Sequence, residues 1–297
     1  MTALADPGRQ SLAKMRPTRG VVVRALAFAV VGVLPACASA PLVQGLTLSS
    51  YEGLAPSDGV ITKSRVRVNA PPVLASHTIN IIPTTFSAEA APKLNDQQRT
   101  LVANAVSRAL CVSLSDRFEV VTIDTPADLT VKTVITHATE TDEFAAGLSA
   151  VASIGSSFVD MGAPVPVPRI PIGLGNLSIE AETLDTLGQQ QAAMIWGRGA
   201  TAFFSSPKAS KASDAYDLAA AFGDDFGYLL VKAKSPFEGF DPNLPSLHKI
   251  NSAIGLAPKH AACENYGRAP GIAGVVGGKL GLPPEWTDNG GKKVAAQ

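Results

Sequence analysis

The sequence predicts an α+β fold in which two helices cover one face of a largely antiparallel sheet. Segments rich in β-branched or alternating residues occur at 77–86, 127–142 and 176–204. Segments with apolar residues at helical spacing occur at 96–118 and 214–233. The order is therefore strand, helix, two strands, insertion, hairpin and helix, which favours a two-layer sandwich.

Taken in order, the first elements are an extended segment, a strand and a helix. Residues 38–77 alternate turn signals with short apolar runs and predict an extended strap with one or two short strands. The sequence "HTINIIPTTF", 77–86, predicts a strand, with Pro83 at its end or at an edge position. Asn95 is expected to cap the next helix, with Asp96 in the first turn.

Two further strands and a hairpin follow. Residues 118–124 and 127–142 are strand-like, and the hairpin begins near residue 176. Its first strand alternates apolar and polar residues, which is typical of a strand with one face in water. Glu180 and Glu182 lie on the polar face, about 7 Å apart by strand rise. We interpret them as a solvated surface rather than a catalytic pair.

The remaining segments complete one predicted domain at 77–234, preceded by the strap at 37–76. Residues 144–172 are almost uncharged and rich in small residues, and we interpret them as an insertion whose first half can form a short buried helix. It either packs on its own domain or offers a surface for self-association or membrane contact. Ser213 is expected to cap the last helix, and residues 235–297 predict a Pro/Gly-rich, loop-like tail.

Residues 1–36 have the properties of an export signal. A basic start precedes the apolar stretch 25–34, which is too short for a membrane span of about 20 residues. A start at Met15 would give ordinary signal-peptide proportions, so the first 14 residues are interpreted as an over-extended gene start.

Cys37 allows three interpretations. "LPAC" resembles the bacterial lipobox, in which cleavage between Ala36 and Cys37 leaves a lipidated cysteine as the first residue; Leu34 fits this pattern, whereas Pro35 is unusual. Ordinary signal peptidase could instead cut after Ala40 and discard the cysteine. A buried structural thiol is the third alternative. Lipidation fits best. It would anchor the chain stably, because several acyl chains bind a membrane firmly whereas a single chain binds only marginally.

The cysteine count agrees with lipidation. Three cysteines are an odd number, which is awkward in an oxidising compartment. If Cys37 carries lipid, Cys111 and Cys263 remain as a candidate disulfide that would tie the tail to the core. Alternatively, Cys111 is simply buried on the apolar face of its helix.

Composition and motifs point away from several function classes. With 25 basic and 25 acidic residues, the chain lacks the basic excess of a nucleic-acid-binding protein. No nucleophile elbow or phosphate-binding loop occurs, and the four histidines are too scattered to predict a metal site or a cofactor. Cys111 with His137 is a candidate pair for nucleophilic catalysis, but an oxidising compartment and a position on a helix face favour a buried or disulfide-bonded thiol. Asp224 and Asp225 are interpreted as a solvated face, because adjacent helix positions point in different directions. The histidines are His77, His137, His248 and His260.

Several segments together resemble a known family. The lipobox-like sequence followed by "LTLSSYEGLAPS", then "ADLTVKTVITHATET" and "IEAETLDTLGQ", are similar to Gram-negative envelope lipoproteins known as domain of unknown function 3313. The resemblance covers roughly residues 37–235. The element order also resembles the amino-terminal domain of TolB and auxiliary lipoproteins of envelope transporters, which implies a partner-binding fold. The family itself supplies no catalytic residues.

These observations predict a non-catalytic lipoprotein anchored at the outer membrane and facing the periplasm. Cys37 would hold the domain to the membrane, and the strap to about residue 75 would set its reach. The sheet or the insertion would bind an envelope protein or a second copy of the chain. Two alternatives stay open: a secreted envelope hydrolase with an unrecognised site, and a component of an oligomeric channel.

Overall fold

A computed structural model of the protein describes residues 40–157, 169, 172–202, 205, 207–239 and 245–291, with the backbone alone for 151–157. Within this part of the chain, eight strands form one sheet in the order β1-β2-β8-β7-β6-β3-β5, with β4 paired to β6. The strands are β1 Ala55–Pro56, β2 Thr62–Val68, β3 Thr78–Ile81, β4 Thr85–Phe86, β5 Glu119–Val120, β6 Leu129–Thr139, β7 Asn176–Asp185 and β8 Gln190–Gly199.

The sheet is largely antiparallel and carries helices on one face, as the sequence predicts. Strands β2, β8, β7 and β6 pair antiparallel, whereas β3 and β4 run parallel to β6. The helices are α1 Ala70–Ala75, α2 Asp96–Leu114, α3 Glu143–Ser157, α4 Ser213–Lys232, α5 Leu247–Ala253, α6 Gly271–Lys279 and α7 Pro284–Thr287, and a 3-10 helix spans Ala261–Tyr266.

Helix α2 begins where the sequence places it. The Asn95 side chain accepts a hydrogen bond from the Gln98 amide (2.9 Å), and the Gln98 side chain accepts one from the Asn95 amide (3.2 Å). This reciprocal capping box satisfies two backbone donors that the first helical turn leaves without partners. Asp96 adds a negative charge in the first turn, where the helix dipole favours it.

Helix α4 begins differently from the prediction. Ser213 is the first helical residue rather than the cap, and its buried hydroxyl donates to the hydroxyl of Thr141 at 3.2 Å. Thr141 in turn accepts from the Asp214 amide at 3.1 Å. Thr141, two residues beyond the end of β6, therefore provides the acceptor that a local cap would otherwise supply, which a local sequence pattern cannot reveal.

Helices α2 and α4 pack closely because glycines of α4 face small residues of α2. A Cβ atom added at Gly223 would lie 2.5 Å from the Ala109 Cβ, and one at Gly227 would lie 2.5 Å from the Ser113 Cβ. Below the helices, Trp196 of β8 meets Phe222 of α4 edge-on, with ring centroids 5.6 Å apart. The two layers thus bury one shared core.

Substitution of Gly223 tests this close approach. Gly223→Ala is expected to lower the free energy of unfolding by about 1–3 kcal/mol, because the added methyl group overlaps Ala109. Gly147→Ala is the control, since no described atom lies within 4 Å of its added Cβ and alanine favours a helix over glycine. Urea denaturation of both variants measures the difference, and equal effects would contradict the packing.

The C-terminal segment is not the loop-like tail that the sequence predicts. It contains three short helices and the 3-10 helix, and it packs on α2 and α4. Cys263 forms a disulfide with Cys111 of α2 (Cα–Cα 5.7 Å), so the pairing that the cysteine count allows is present. Asp288 lies 2.5 Å from both the Arg108 guanidinium and the Tyr216 hydroxyl. The glycines and prolines of this segment predict loops. Its helices form nevertheless, because contacts with distant residues stabilise them.

Candidate functional site

The first part of the predicted strap, residues 40–54, lies on the outer face of the sheet, opposite α2 and α4, and is called the strap from here on. Its Leu48 packs with Ile195 of β8 in a small apolar cluster separate from the main core. The Val43 carbonyl accepts from the Thr136 hydroxyl at 2.9 Å, and the Pro41 carbonyl accepts from the Ser178 hydroxyl. The chain is thus bound to the sheet from Pro41 onward.

Glu180 of β7 is the main acceptor for the strap. Its two oxygens accept hydrogen bonds from the Gly45 and Thr47 amides, both at 2.9 Å. The Thr47 hydroxyl donates at 2.6 Å, and the Tyr51 hydroxyl lies 2.9 and 2.8 Å from the two oxygens. Only 1% of Glu180 is exposed. A carboxylate can be buried at little cost when such donors replace the hydrogen bonds that it would make with water.

Glu182, two residues along the same strand, holds the next part of the strap. The Ser49 amide and hydroxyl donate to one oxygen at 2.7 and 2.6 Å, and the Gln190 side chain donates to the same oxygen at 2.8 Å. The Lys132 ammonium lies 3.7 Å from the other oxygen. Burial by itself raises the pKa of Glu182, but these hydrogen bonds and the positive charge outweigh it and hold the pKa below its ordinary value.

Binding to Glu180 imposes an unusual backbone conformation between the two bound amides. Leu46 has φ of 56°, in the left-handed region that costs a non-glycine residue on the order of 1 kcal/mol or more. Its side chain points outward and is 82% exposed. Tyr51 completes the contact, and burial, reinforced by the neighbouring carboxylate, raises its pKa to about 12, so it stays a hydrogen-bond donor.

The interpretation of Glu180 and Glu182 as a solvated surface is therefore wrong. Both side chains are buried, because the strap covers the polar face that the alternation assigned to water. The donors of residues 45, 47 and 49 have the same spacing as the carboxylates of Glu180 and Glu182, but the sequence alone does not pair the two segments. Two extended segments lying side by side share this spacing. The strap is accordingly part of the domain and not a spacer outside it, and the rest of the predicted segment to residue 75 forms β1, β2 and α1, with β2 paired to β8.

The other sequence-predicted residues are spread through the fold. Ala36 and Cys37, the predicted cleavage and lipidation positions, lie outside the described residues. Cys111 is disulfide-bonded and so has no thiol for nucleophilic catalysis with His137. Within the described ranges, no group of three or more His, Cys, Asp or Glu side chains could hold a metal ion. None of the helices described is long and apolar enough to cross a bilayer.

Asp224 and Asp225 point in different directions, and only the first is solvated. Asp224 has a 62% exposed side chain that pairs with Lys249 at 3.0 Å. Asp225 turns inward and accepts from the indole N–H of Trp196 at 2.8 Å. Burial raises the pKa of Asp225 to about 6, although the indole hydrogen bond acts in the opposite direction.

This raised pKa predicts a change in the pH dependence of stability. The unfolded chain releases the Asp225 proton near pH 4 and the folded chain near pH 6, so stability falls as pH rises through that window. Asp225→Asn removes the cost and keeps an oxygen for Trp196. We expect it to exceed wild type by up to about 3 kcal/mol at pH 7, with the difference lost below pH 4.

The matched control is Asp224→Asn, which changes the exposed neighbour. Chemical denaturation of all three proteins at pH 4 and pH 7 provides the measurement. An Asp225→Asn difference that does not vary with pH would show that the carboxyl titrates normally.

A cleft of about 540 Å³ lies between α2, α4 and α5. Alanines form much of its floor, and its charged side chains pair with one another or with groups beside the cleft. Lys249, for example, lies 3.3 Å from Asp116 and 3.0 Å from Asp224. The cleft therefore has a largely apolar lining whose charged side chains are paired, and it does not bring reactive groups together.

Comparison with known proteins finds one family. The family model described as "Protein of unknown function (DUF3313)" matches residues 44–226, more than half of the chain. The match includes both sides of the strap contact and ends before the C-terminal segment. No curated protein matches the chain.

Two solved structures are similar at a low level. A dodecamer of a single-substitution variant of PelC from Paraburkholderia phytofirmans shares 8% identity, and the match covers 55% of this chain and 95% of that one, with a TM-score of 0.31. A second PelC dodecamer from the same organism also shares 8% identity, with coverages of 54% and 96% and a TM-score of 0.33. We draw no conclusion about this chain from similarity at this level.

Proposed function

We propose that this chain, which belongs to the DUF3313 family, is a lipid-anchored accessory protein of a bacterial cell envelope. It acts by presenting a rigid binding surface close to the membrane and not by catalysis. The sequence Leu34-Pro35-Ala36-Cys37 supports the anchor, since it provides the leucine, the small residue and the cysteine of a lipobox.

The observation that carries the proposal is the strap bound to buried carboxylates immediately after this cysteine. Pro41 contacts the sheet, and the hydrogen bonds to Glu180 begin at Gly45. Pro41 follows Cys37 by four positions, and an extended chain of that length spans at most about 14 Å. An acylated Cys37 would therefore hold the folded domain next to the bilayer, where a partner in the same membrane meets it.

The use made of the two glutamates also favours binding over catalysis. A carboxylate that serves as general acid or base must reach a substrate proton. Glu180 and Glu182 instead accept hydrogen bonds from the strap, and the strap separates them from solvent. This pair of neighbouring carboxylates therefore has a structural role.

Metabolic labelling with an acyl-chain probe tests the anchor. We expect the wild-type protein to carry the label and to sediment with membranes, and Cys37→Ser to lose both properties. Pro35→Ala is the control, because it changes the lipobox-like sequence and leaves the cysteine in place. Label retained in Cys37→Ser, or a mature protein that begins at Pro41, would contradict the proposal.

A further inference from the structure

Helix α3 presents large apolar side chains to solvent. Phe144 is 77% exposed and Leu148 is 48% exposed, and their spacing of four residues places them on one side of the helix. The opposite side is buried through Ala145 and Ala146. Ile172, 63% exposed, is a third exposed apolar side chain, in the segment that leads into β7. We call Phe144, Leu148 and Ile172 the end surface.

The end surface lies where β6 ends and β7 begins. Thr139, the last residue of β6, pairs with Asn176, the first residue of β7. Beyond this pair, the Asp142 amide donates to the Gly173 carbonyl at 2.8 Å. That bond brings the residue two positions before Phe144 next to the residue that follows Ile172.

The strap enters the domain at the same end of the sheet. The Pro41 carbonyl accepts from Ser178, which is two residues, or about 7 Å, from the start of β7. Gly197 of β8 pairs with Ser178 and also lies under Pro41. Pro41, four positions after Cys37, therefore lies toward the end of the sheet that carries the apolar side chains.

We propose that the end surface contacts the lipid bilayer to which Cys37 is anchored. This inference rests on the proposed lipidation, and it adds an orientation: the end of the sheet that carries α3 faces the membrane. A link of at most about 14 Å keeps this end near the bilayer. Aromatic and aliphatic side chains on one side of a helix are those that insert at the boundary of headgroups and acyl chains.

The charges around the end surface specify the kind of lipid contact. Asp142 and Glu143 are exposed next to Phe144, and the exposed Lys211 lies beside Thr141, so this end carries no net positive charge that would favour anionic lipids. The contact depends on apolar insertion, and it forms on uncharged phosphatidylcholine and is insensitive to salt.

Leu187 provides a matched control at the other end of the sheet. It is 80% exposed in the turn between β7 and β8. Since β7 has ten residues, this turn lies about 30 Å from the start of β7, beside which the end surface lies. A tryptophan at position 187 is thus expected to be as exposed as one at position 144, but it lies at the opposite end of the sheet.

The test uses acylated protein in phosphatidylcholine vesicles with brominated acyl chains, which quench tryptophan on contact. Phe144→Trp, Leu148→Trp and Leu187→Trp are prepared in a Trp286→Phe background, because Trp286 is exposed and Trp196 is buried. We expect the emission added at 144 and 148 to fall at least twofold, in low and high salt alike, and the emission added at 187 to stay unchanged.

Two failures are distinguishable by mass spectrometry of the same samples. Acyl chains on Cys37 without quenching at 144 and 148, or with equal quenching at 187, would overturn the orientation and leave the anchor intact. Absence of acyl chains would overturn the proposed function and this inference together.

Discussion

Glu180→Ala is expected to lower the free energy of unfolding by about 3–5 kcal/mol and to release the strap from the sheet. The substitution leaves the Gly45 and Thr47 amides and the Tyr51 hydroxyl without their acceptor. It also removes the contact that holds Leu46 in the left-handed region, so the strap has little reason to keep its conformation. Urea denaturation measures the loss.

Two further variants sharpen this experiment. Glu52→Ala removes an exposed glutamate from the strap itself and is expected to change stability by no more than about 0.5 kcal/mol. Glu180→Gln keeps the shape of the side chain but places an NH₂ group where the strap donors need an acceptor. We therefore expect its loss of stability to lie between the losses for Glu52→Ala and Glu180→Ala. A Glu180→Ala protein as stable as Glu52→Ala would mean that the strap contributes nothing to the fold.

Asp288→Ala is expected to cost a similar amount, about 3–5 kcal/mol, at the opposite face of the domain. Asp288 and Arg108 form an ion pair at 2.5 Å whose side chains are 1% and 9% exposed. Removing the carboxylate leaves a buried guanidinium without its counter-charge, and the Tyr216 hydroxyl loses its acceptor as well. Denaturation should therefore show a large fall in stability although residue 288 is near the C-terminus.

An exposed ion pair supplies the comparison for Asp288. Lys93, whose side chain is 68% exposed, pairs with Glu140, and Lys93→Ala is expected to cost less than about 1 kcal/mol. The double variant Arg108→Met with Asp288→Leu replaces the buried pair by apolar groups, and we expect it to recover much of the loss. Equal losses for Asp288→Ala and Lys93→Ala would contradict the burial of the pair.

Local sequence patterns predicted the parts of this fold that local interactions determine. The capping box of Asn95 and Gln98 lies within four residues. The alternation of residue types in β6 and β7 reflects side chains that point to opposite faces of the sheet in turn. The layer arrangement followed from the order of these elements. Each of these features can be recognised without knowledge of distant segments.

Features that depend on distant segments were missed. Glu180 meets residues more than 125 positions away, and nothing in its own strand distinguishes a face covered by the strap from a face in water. The short C-terminal helices are held by Cys263 and Asp288 through contacts with α2, and their own composition predicts loops. In both cases the partners of a buried carboxylate, Glu180 or Asp288, lie on a distant segment, and these tertiary contacts override the local preferences of the sequence.

The strap is an integral part of the domain, and both the proposed anchoring and the proposed orientation depend on this. Hydrogen exchange of the Gly45, Thr47 and Ser49 amides in the mature chain tests this directly, with or without lipid. We expect slow exchange, within about tenfold of the amides of β7, and fast exchange of the same amides in Glu180→Ala. Exchange in the wild-type protein at the rate of an unstructured peptide would contradict it.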